Sequence, residues 1–174
     1  MRTTLFKTDF YQYPIIDWLD KKNKILDNIK INDLEKNPAQ NFFSDRNINK
    51  LEYLKQFSEI FKDELNAFKN ELGVANFKLT EIWTARYGKG DFHAPHNHGG
   101  NGFSGIVYLE YDDDEHTPAY FINPINDPIS DRTKLIVPDT FEGLMIIVPS
   151  IIHHYTLPNT SDKYRTIIGF DIKF

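Results

Sequence analysis

The hydrophobic pattern of the chain changes its period near residue 77, and this change limits the folds that are available. Before it, apolar residues recur at spacings of three and four, as on one face of a helix. These residues are Leu51, Leu54, Phe57, Phe61, Leu65, Phe68 and Leu72. After it, apolar and polar residues alternate, which is typical of strands with one buried face. The sequence therefore predicts a helical first part and a β-rich second part.

Two helices are predicted in the first part. The first covers residues 17–29, and the second carries the apolar stripe over 51–72. Asn49 and Glu52 have the spacing of a capping box at the start of the second helix, and Gly73 supplies its stop. A stripe of this kind is typical of a helix that packs against a sheet.

The second part contains six candidate strands, at 77–87, 103–111, 118–123, 133–138, 143–149 and 164–174. Short strands without intervening helices indicate a sandwich, a barrel or a jelly roll. An extended start is predicted over 4–13 and a connection over 30–47. No repeat or linker divides the 174 residues. We therefore predict a single domain, with 1–76 as a mostly helical scaffold and 77–174 as its β core.

Composition and charge narrow the function classes. The chain has no cysteine, which excludes a disulfide framework, a thiolate metal site and a cysteine nucleophile. Residues 1–80 carry 13 basic and 12 acidic side chains, whereas residues 81–174 carry 7 and 13. An acidic half without a basic cluster predicts that nucleic acid is not a partner. Without a signal-peptide core or a long apolar run, the expectation is a cytoplasmic protein with no membrane partner.

All six histidines lie in the second half, and three of them fall within six residues, at His93, His96 and His98. In an extended segment residues i and i+2 project to the same side, so His96 and His98 can direct two imidazoles at one point. Neutral imidazole suits iron, copper, nickel and zinc. A third ligand would have to come from elsewhere, and His153 and His154 are the strong candidates.

The predicted last strand places an arginine beside apolar residues. Arg165 shares a face with Ile167 and Gly169, while Thr166 and Ile168 point the other way. A half-buried guanidinium pairs bidentately with a carboxylate and stays charged. The sequence demands no protein partner for it, so a bound acid is one hypothesis. An ordinary exposed edge arginine is the alternative.

Four segments carry a resemblance to a known family. In chain order they are RYGKGDFHAPHNH, SGIVYLEY, GLMIIVPSIIHHYTLP and YRTIIGFDIKF. Together they resemble the iron(II)/2-oxoglutarate-dependent oxygenases, particularly the prolyl-hydroxylase-like group and the small oxygenases of bacteria and their phages. The resemblance implies an α+β, mainly β fold: a double-stranded β-helix, which is a jelly-roll, cupin-like barrel, backed by N-terminal helices.

The resemblance also implies a metal-ligand set. His96 takes the first position of the family's His-x-Asp/Glu motif, His98 falls where the carboxylate normally stands, and His154 matches the distal histidine. Adjacent residues on a strand face opposite ways, so His153 and His154 should not both bind one metal. A His-x-His form leaves the site one negative charge short of the usual two histidines and one carboxylate. Asp91 is the alternative source of a carboxylate.

The co-substrate contacts follow from the same resemblance. Arg165 matches the residue that pairs with the far carboxylate of 2-oxoglutarate. Tyr87 and Tyr108 occupy positions whose hydroxyls often hydrogen-bond the co-substrate. No catalytic residue beyond the metal centre is implied.

The implied activity is that of an iron(II)- and 2-oxoglutarate-dependent dioxygenase. Such an enzyme uses dioxygen to hydroxylate a peptidyl residue, with proline as the first expectation, or a small molecule, and releases succinate and CO2. Two alternatives stay open at this point. One is a cupin-like three-histidine metalloenzyme that does not use 2-oxoglutarate, and the other is a non-catalytic metal-binding β-sandwich.

The sequence suggests subsidiary roles for a few further segments and side chains. His93 is expected beside the ligands or at the surface, and His116 is expected to be exposed to solvent. Trp83 is expected in the core or, alternatively, in the pocket lining. Substrate specificity is expected to come from the loops 88–103 and 124–132.

Overall fold

The computed structural model describes residues 8–29, 31, 34–37, 41–45, 51–126 and 129–174. Three helices lie within these residues: α1 Trp18–Asn28, α2 Leu51–Ile60 and α3 Lys62–Leu72. The strands within them are β1 Tyr11–Pro14, β2 Glu35–Asn37, β3 Phe42–Ser44, β4 Lys78–Tyr87, β5 His93–His96, β6 Phe103–Glu110, β7 Ala119–Ile122, β8 Leu135–Ile136, β9 Leu144–Pro149, β10 His154–Thr156 and β11 Arg165–Lys173.

The strands form two antiparallel sheets. The larger sheet has seven strands in the order β1-β9-β6-β11-β4-β3-β2, and the smaller has four in the order β5-β10-β7-β8. β11 lies between β4 and β6 and pairs with both along most of its length. The last strand in the chain therefore lies near the middle of the larger sheet, and its two faces belong to different parts of the core.

Alternation along the larger sheet separates two packing layers. On one face, Ile168, Phe170 and Ile172 of β11 pack with the helical side chains Phe57 and Phe68. On the other face, the side chains meet the smaller sheet, in a cluster that joins Tyr108, Ile146 and Val148 to Ala119 and Phe121. The helices thus cover the outer face of the larger sheet, as predicted, and the inner face is left to line a space between the sheets. None of the helices among these residues combines the length and apolar character needed to cross a bilayer.

The predicted first helix is confirmed as α1, but the predicted second helix is two helices. α2 and α3 are separated by Phe61, whose backbone has φ −105° and ψ 24°. The bonds Phe61 N–H to Phe57 O and Leu65 N–H to Phe61 O continue across the break. The apolar stripe therefore stays on one side, and Gly73 ends α3 with φ +73°, as predicted. The predicted cap at Asn49 lies outside the described residues.

All six predicted strands are present, and five further short strands were not predicted. β2 and β3 lie in the region 30–47 that was predicted as a connection, and β1 overlaps the end of the predicted extended start. The unpredicted strands are three or four residues long. A segment this short shows at most one full alternation, so tertiary pairing rather than local pattern decides its structure. The parts of 4–13 and 30–47 without described residues give no test.

The predicted face of β4 is wrong in its first half. Strict alternation over residues 77–87 predicts that Phe77 and Leu79 share a face with Trp83 and Tyr87. The register passes from Asp171 opposite Glu81 to Ile172 opposite Leu79, so β4 contains one extra residue at this point. Such a bulge shifts the alternation by one position. Leu79 and Phe77 consequently pack in the helical layer, whereas Trp83 and Tyr87 face the space between the sheets.

Candidate active site

Two adjacent strands of the smaller sheet bring three histidines together. His96 ends β5, His98 follows two residues later, and His154 begins β10, where it lies opposite His96 in the antiparallel register. One ligand atom from each of the three imidazoles lies within 4.8 Å of the others. The structure thus brings together His96, His98 and His154, the three residues that the sequence placed around a metal.

The backbone fixes the orientation of two of these rings. His96 Nδ1 lies 2.8 Å from the carbonyl oxygen of Ala94, and His154 Nδ1 lies 3.1 Å from that of Ile152. A carbonyl oxygen only accepts hydrogen bonds, so in both rings Nδ1 carries the hydrogen and Nε2 presents a lone pair. Burial, with a smaller contribution from nearby His96, lowers the pKa of His154 to about 3. The ring is therefore neutral near pH 7, which is the form that binds metals.

The third ring has a different neighbour. His98 Nδ1 lies 3.2 Å from the carboxylate oxygen Oδ1 of Asp171, although the contact does not meet hydrogen-bond geometry. The His98 ring is parallel to that of His154, with centroids 5.3 Å apart, and it stacks on the indole of Trp83 at the same distance. Trp83, which the sequence assigned to the core or to the pocket, is buried and lines the cavity.

Arg165 begins β11 and points from the larger sheet into the same space. Its side chain is 1% exposed, and Nη1 donates to the carbonyl oxygen of Thr117 at 2.6 Å. Nε and Nη2 have no hydrogen-bond partner among the described residues. Burial lowers the pKa of Arg165, with Tyr87 and Tyr108 acting in the opposite direction. A guanidinium is so basic that it stays charged, so this group is a buried cation with two free donors.

Two buried tyrosines accompany the guanidinium. The Arg165 Cζ atom lies 4.6 Å from the centroid of the Tyr87 ring, and the Tyr87 hydroxyl lies 3.3 Å from His93 Nδ1. The Tyr108 hydroxyl accepts a hydrogen bond from the Ala119 backbone N–H at 3.1 Å. Burial raises the pKa of both tyrosines, so both hydroxyls stay protonated and available as hydrogen-bond donors.

These side chains line one cavity between the two sheets. The three histidines, Arg165 and both tyrosines contribute to its wall. The rest of the wall is largely apolar, with Ile106, Phe121, Ile146, Val148 and Ile167 among its residues. A few polar groups in an otherwise apolar cavity favour a small ligand that they orient, and the Arg165 cation favours a ligand with a negative charge.

Asp91 and His153, the alternative ligands, lie outside the histidine group. The Asp91 carboxylate is 2.9 Å from Lys36 Nζ and accepts a hydrogen bond from the Gly88 N–H at 3.0 Å. His153 is exposed, and its Nε2 lies 3.3 Å from Asn97 Nδ2. Both side chains therefore have structural contacts, and neither belongs to the group that could hold a metal.

The expectation that His116 is exposed is wrong. Its side chain is 7% exposed, and its Nδ1 accepts a hydrogen bond from the Asp112 N–H at 3.0 Å. On the other side of the ring, Nε2 lies 3.3 Å from the carbonyl oxygen of Lys163. The acidic run that begins at Asp112 is thus folded around the histidine, and the ring connects this turn to the segment before β11.

Two positions were open for His93, and Asp171 had no assigned role. The His93 ring stacks on that of His96 with centroids 3.8 Å apart, so His93 lies beside the candidate ligands, the first of its two expected positions. Asp171 shares the inward face of β11 with Arg165, and this alternation was the available signal. The sequence did not indicate that Asp171 contacts His98, because the two residues come from distant segments.

Two facing antiparallel sheets, converging imidazoles and a buried arginine are the features of a metal-dependent double-stranded β-helix enzyme. A family model described as "Putative 2OG-Fe(II) oxygenase" matches residues 81–171, which is more than half of the chain. The chain belongs to this 2OG-Fe(II) oxygenase family. The resemblance stated from the sequence is confirmed, and with it an oxygenase that uses iron(II) and 2-oxoglutarate.

Solved structures share the fold at low sequence identity. The viral collagen prolyl hydroxylase of Paramecium bursaria Chlorella virus 1 is 14% identical, with a TM-score of 0.61 and 94% coverage of both chains. A Pseudomonas putida prolyl-4-hydroxylase is 14% identical, with a TM-score of 0.62 over 96% of this chain and 94% of that one. HygX from Streptomyces hygroscopicus, with nickel, 2-oxoglutarate and hygromycin B bound, is 14% identical, with a TM-score of 0.66 over 95% and 83%.

These likenesses confirm the predicted double-stranded β-helix fold. No curated protein matches the chain in sequence.

The cavity residues fit the cofactors of the family. Imidazole nitrogens suit iron(II), and in two of the three rings a backbone carbonyl next to Nδ1 leaves Nε2 as the nitrogen with a lone pair. Arg165 is a buried cation whose Nε and Nη2 lack partners among the described residues, and leaving such donors unpaired is costly. A carboxylate of 2-oxoglutarate would satisfy both its charge and its donors.

Proposed function

We propose that this protein is an iron(II)- and 2-oxoglutarate-dependent dioxygenase that hydroxylates a peptidyl residue or a small molecule and releases succinate and CO2. In this proposal His96, His98 and His154 are the metal ligands. Arg165, Tyr87 and Tyr108 hold the co-substrate. We further propose that residues 1–174 form one domain, in which the part up to residue 76 supports the β core.

One observation carries the proposal: the buried Arg165 guanidinium lines the same cavity as the three imidazoles. A buried cation with unpaired donors in this cavity suits an anionic co-substrate such as a dicarboxylate. This feature favours the oxygenase over a cupin-like enzyme that acts without 2-oxoglutarate. Family membership favours it over a non-catalytic metal-binding sandwich.

Different side chains of the cavity would bind different parts of the co-substrate. When bound, iron(II) and 2-oxoglutarate supply the oxidising chemistry, in which dioxygen converts 2-oxoglutarate to succinate and CO2. Arg165 pairs with the far carboxylate and so fixes which end of the co-substrate points at the histidines. The two tyrosine hydroxyls remain protonated and donate hydrogen bonds to its oxygen atoms.

The apolar wall has a separate function. Ile106, Val148 and Ile167 line the cavity near Arg165 and the tyrosines. An apolar wall lowers the local dielectric constant, which strengthens the arginine–carboxylate attraction and limits side reactions. His96 is partly exposed whereas Arg165 is buried, so a substrate would enter beside the histidines.

Two substrate classes are supported. Two of the solved structures with this fold are described as prolyl hydroxylases, which makes a peptidyl proline the first substrate to test. HygX was solved with hygromycin B, which supports a small-molecule substrate as the second class. We expect succinate to form together with a product heavier by one oxygen atom, detectable by mass spectrometry.

The first experiment measures 2-oxoglutarate binding and metal binding separately in the Arg165→Ala variant. Under anaerobic conditions, we expect this variant to bind iron(II) as the wild type does but to lose 2-oxoglutarate binding. The metal ligands lie on the smaller sheet and Arg165 on the larger, so one function can fail without the other. Losing a buried charge-assisted pair costs about 2–5 kcal/mol, or roughly 30-fold to several thousand-fold in affinity.

The control is Arg132→Ala, because Arg132 is exposed and does not line the cavity. We expect it to bind both iron(II) and 2-oxoglutarate like the wild type. Retained 2-oxoglutarate binding by Arg165→Ala would contradict the assigned role of Arg165. Wild-type protein that binds iron(II) but forms no succinate, with or without substrate, would contradict the proposed activity.

A further inference from the structure

We propose that Asp171 is a positioning residue that supplies, through His98, the negative charge that the His-x-His ligand set lacks. The inference rests on the proposed metal site and deepens it. Two histidines and one carboxylate leave a bound divalent ion with a net charge of about +1, whereas three neutral histidines leave about +2. A negative charge close to His98, the ligand that replaces the usual carboxylate, would recover part of this difference.

Asp171 lies beside that ligand. Its Oδ1 is 3.2 Å from His98 Nδ1, which leaves Nε2 as the nitrogen that would bind the metal. The other two imidazoles have neutral backbone carbonyls at the corresponding position, those of Ala94 and Ile152. His98 takes the position where the family usually has a carboxylate ligand. Of the three rings in the group, it is also the one whose Nδ1 lies beside a carboxylate.

Burial keeps this charge effective. The His98 side chain is 5% exposed and that of Asp171 is 13% exposed. Charges that water does not surround are weakly screened, so the carboxylate attracts a cation held by the His98 ring. This attraction depends on charge and distance, so it does not require hydrogen-bond geometry between Asp171 and His98.

A short network fixes the carboxylate in place. Ser104 Oγ donates to Asp171 Oδ1 at 2.6 Å and lies 2.8 Å from Ser150 Oγ. Ser150 in turn accepts a hydrogen bond from the His98 N–H through its carbonyl oxygen, at 2.9 Å. Ser104 is on β6, Asp171 is on β11, and Ser150 lies in the turn that leads to His154. The network therefore connects the larger sheet to the segments that carry two of the three histidines.

The test is iron(II) affinity, measured by anaerobic equilibrium dialysis of the metal-free protein. Asp171→Asn removes the charge but keeps an oxygen that can accept the Ser104 hydrogen bond. We expect a 10- to 100-fold weaker affinity, the usual effect of losing a carboxylate behind a metal-bound histidine. Asp162→Asn is the matched control, because it changes the net charge equally on an exposed side chain paired with Lys89. It should bind like the wild type.

The same substitution in a His98→Asp variant distinguishes an effect of charge on iron(II) affinity from an effect of structure. In His98→Asp the ligand set regains its carboxylate, so the charge of Asp171 is no longer needed. There, the further change Asp171→Asn should leave the affinity unchanged or strengthen it. An equal loss in both backgrounds would show a merely structural role and overturn the proposal. Should Asp171→Asn fail to fold, the pair Asp171→Glu and Asp171→Gln makes the same comparison at matched size.

A spectroscopic measurement completes the design. In the anaerobic complex with iron(II) and 2-oxoglutarate, we expect Asp171→Asn to move the metal-to-ligand charge-transfer band to shorter wavelength, because less negative charge lies near the metal. Wild-type protein that binds no iron(II) would overturn both this inference and the proposed function. Wild-type binding with an unchanged affinity and band in Asp171→Asn would overturn this inference alone.

Discussion

At the scale of single residues, Gly169 determines how closely the Trp83 ring approaches β11. A Cβ atom at Gly169 would lie 2.3 Å from Trp83 Cε2, much less than a van der Waals contact. Trp83 is buried and stacks on His98, so it cannot move without disturbing the histidine group. We expect Gly169→Ala to lower the free energy of unfolding by about 1–3 kcal/mol through overpacking, measured by chemical denaturation.

A second glycine provides the control for this substitution. A Cβ atom at Gly100 would meet nothing within 4 Å. Gly100→Ala should therefore change the free energy of unfolding by no more than about 0.5 kcal/mol. Equal destabilisation by the two substitutions would contradict the steric account. We also expect Gly169→Ala, and not Gly100→Ala, to weaken iron(II) binding.

The roles of individual residues could be predicted from the sequence where one segment contained the whole signal. Alternation was enough to put His96 and His98 on one side of an extended segment, and to put Arg165 on one face with Gly169. The relation between His98 and Asp171 could not be predicted, because it depends on how β11 lies beside the turn after β5. That arrangement is set by the pairing of distant strands, which no local pattern encodes.

At the scale of elements, one buried ion pair connects α1 to α3. Lys21 Nζ contacts both carboxylate oxygens of Glu64, at 2.9 and 3.0 Å, and the side chains are 13% and 3% exposed. Lys21→Met would leave the buried carboxylate without its cation. We expect the free energy of unfolding to fall by roughly 3 kcal/mol, measured by urea denaturation.

An exposed pair on the same helix is the control. Lys24 and Asp20 are 2.6 Å apart and mostly exposed, so Lys24→Met should cost about 0–1 kcal/mol. In the double variant Lys21→Met, Glu64→Gln, the uncompensated charge is gone, while an oxygen remains for the Ile16 N–H. It should recover most of the stability. A double variant no more stable than Lys21→Met would contradict the charge argument.

The length of each helix or strand explains whether it could be predicted from the sequence. Long segments with a sustained period, such as the apolar stripe and β11, were predicted correctly because many residues repeat the signal. The bulge in β4 was missed, because one extra residue reverses the alternation without changing composition. β5 and β10 were also missed, although they carry His96 and His154, because each has only three or four residues.

At the scale of the whole molecule, the candidate site exists only when the two sheets face each other. The histidines are held by the smaller sheet and the turn beside it, whereas Arg165 and Asp171 belong to the larger. Metal and co-substrate would contact both sheets, so their binding is coupled to the packing of the sheets. A ligand that binds only the folded state raises its stability by mass action. The residues that line the cavity all lie in the acidic, histidine-rich second half, within 83–169.

The pH dependence of the free energy of unfolding is a property of the whole folded chain. His116 contributes to it in a defined direction. Burial is the main cause that lowers the pKa of His116, and the charge of Arg165 lowers it further. The backbone contact to Lys163 and the charges of Asp112 and Glu115 act in the opposite direction. The unfolded chain has the ordinary histidine pKa near 6.5, so it binds more protons than the folded chain below that pH. The contribution of His116 to stability is therefore complete above about pH 6.5 and is lost as the pH falls below it.

The measurement compares wild type with His116→Asn, in metal-free protein, by urea denaturation at about pH 7.5 and about pH 5.5. Asparagine can accept the Asp112 N–H bond but does not titrate. The other five histidines are present in both proteins, so the difference between the two proteins isolates the contribution of His116. We expect the wild type to lose up to about 1.4 kcal/mol per pH unit more than the variant, the limit for one proton. Equal losses in the two proteins would contradict the prediction, since they would mean that the pKa of His116 does not change on folding.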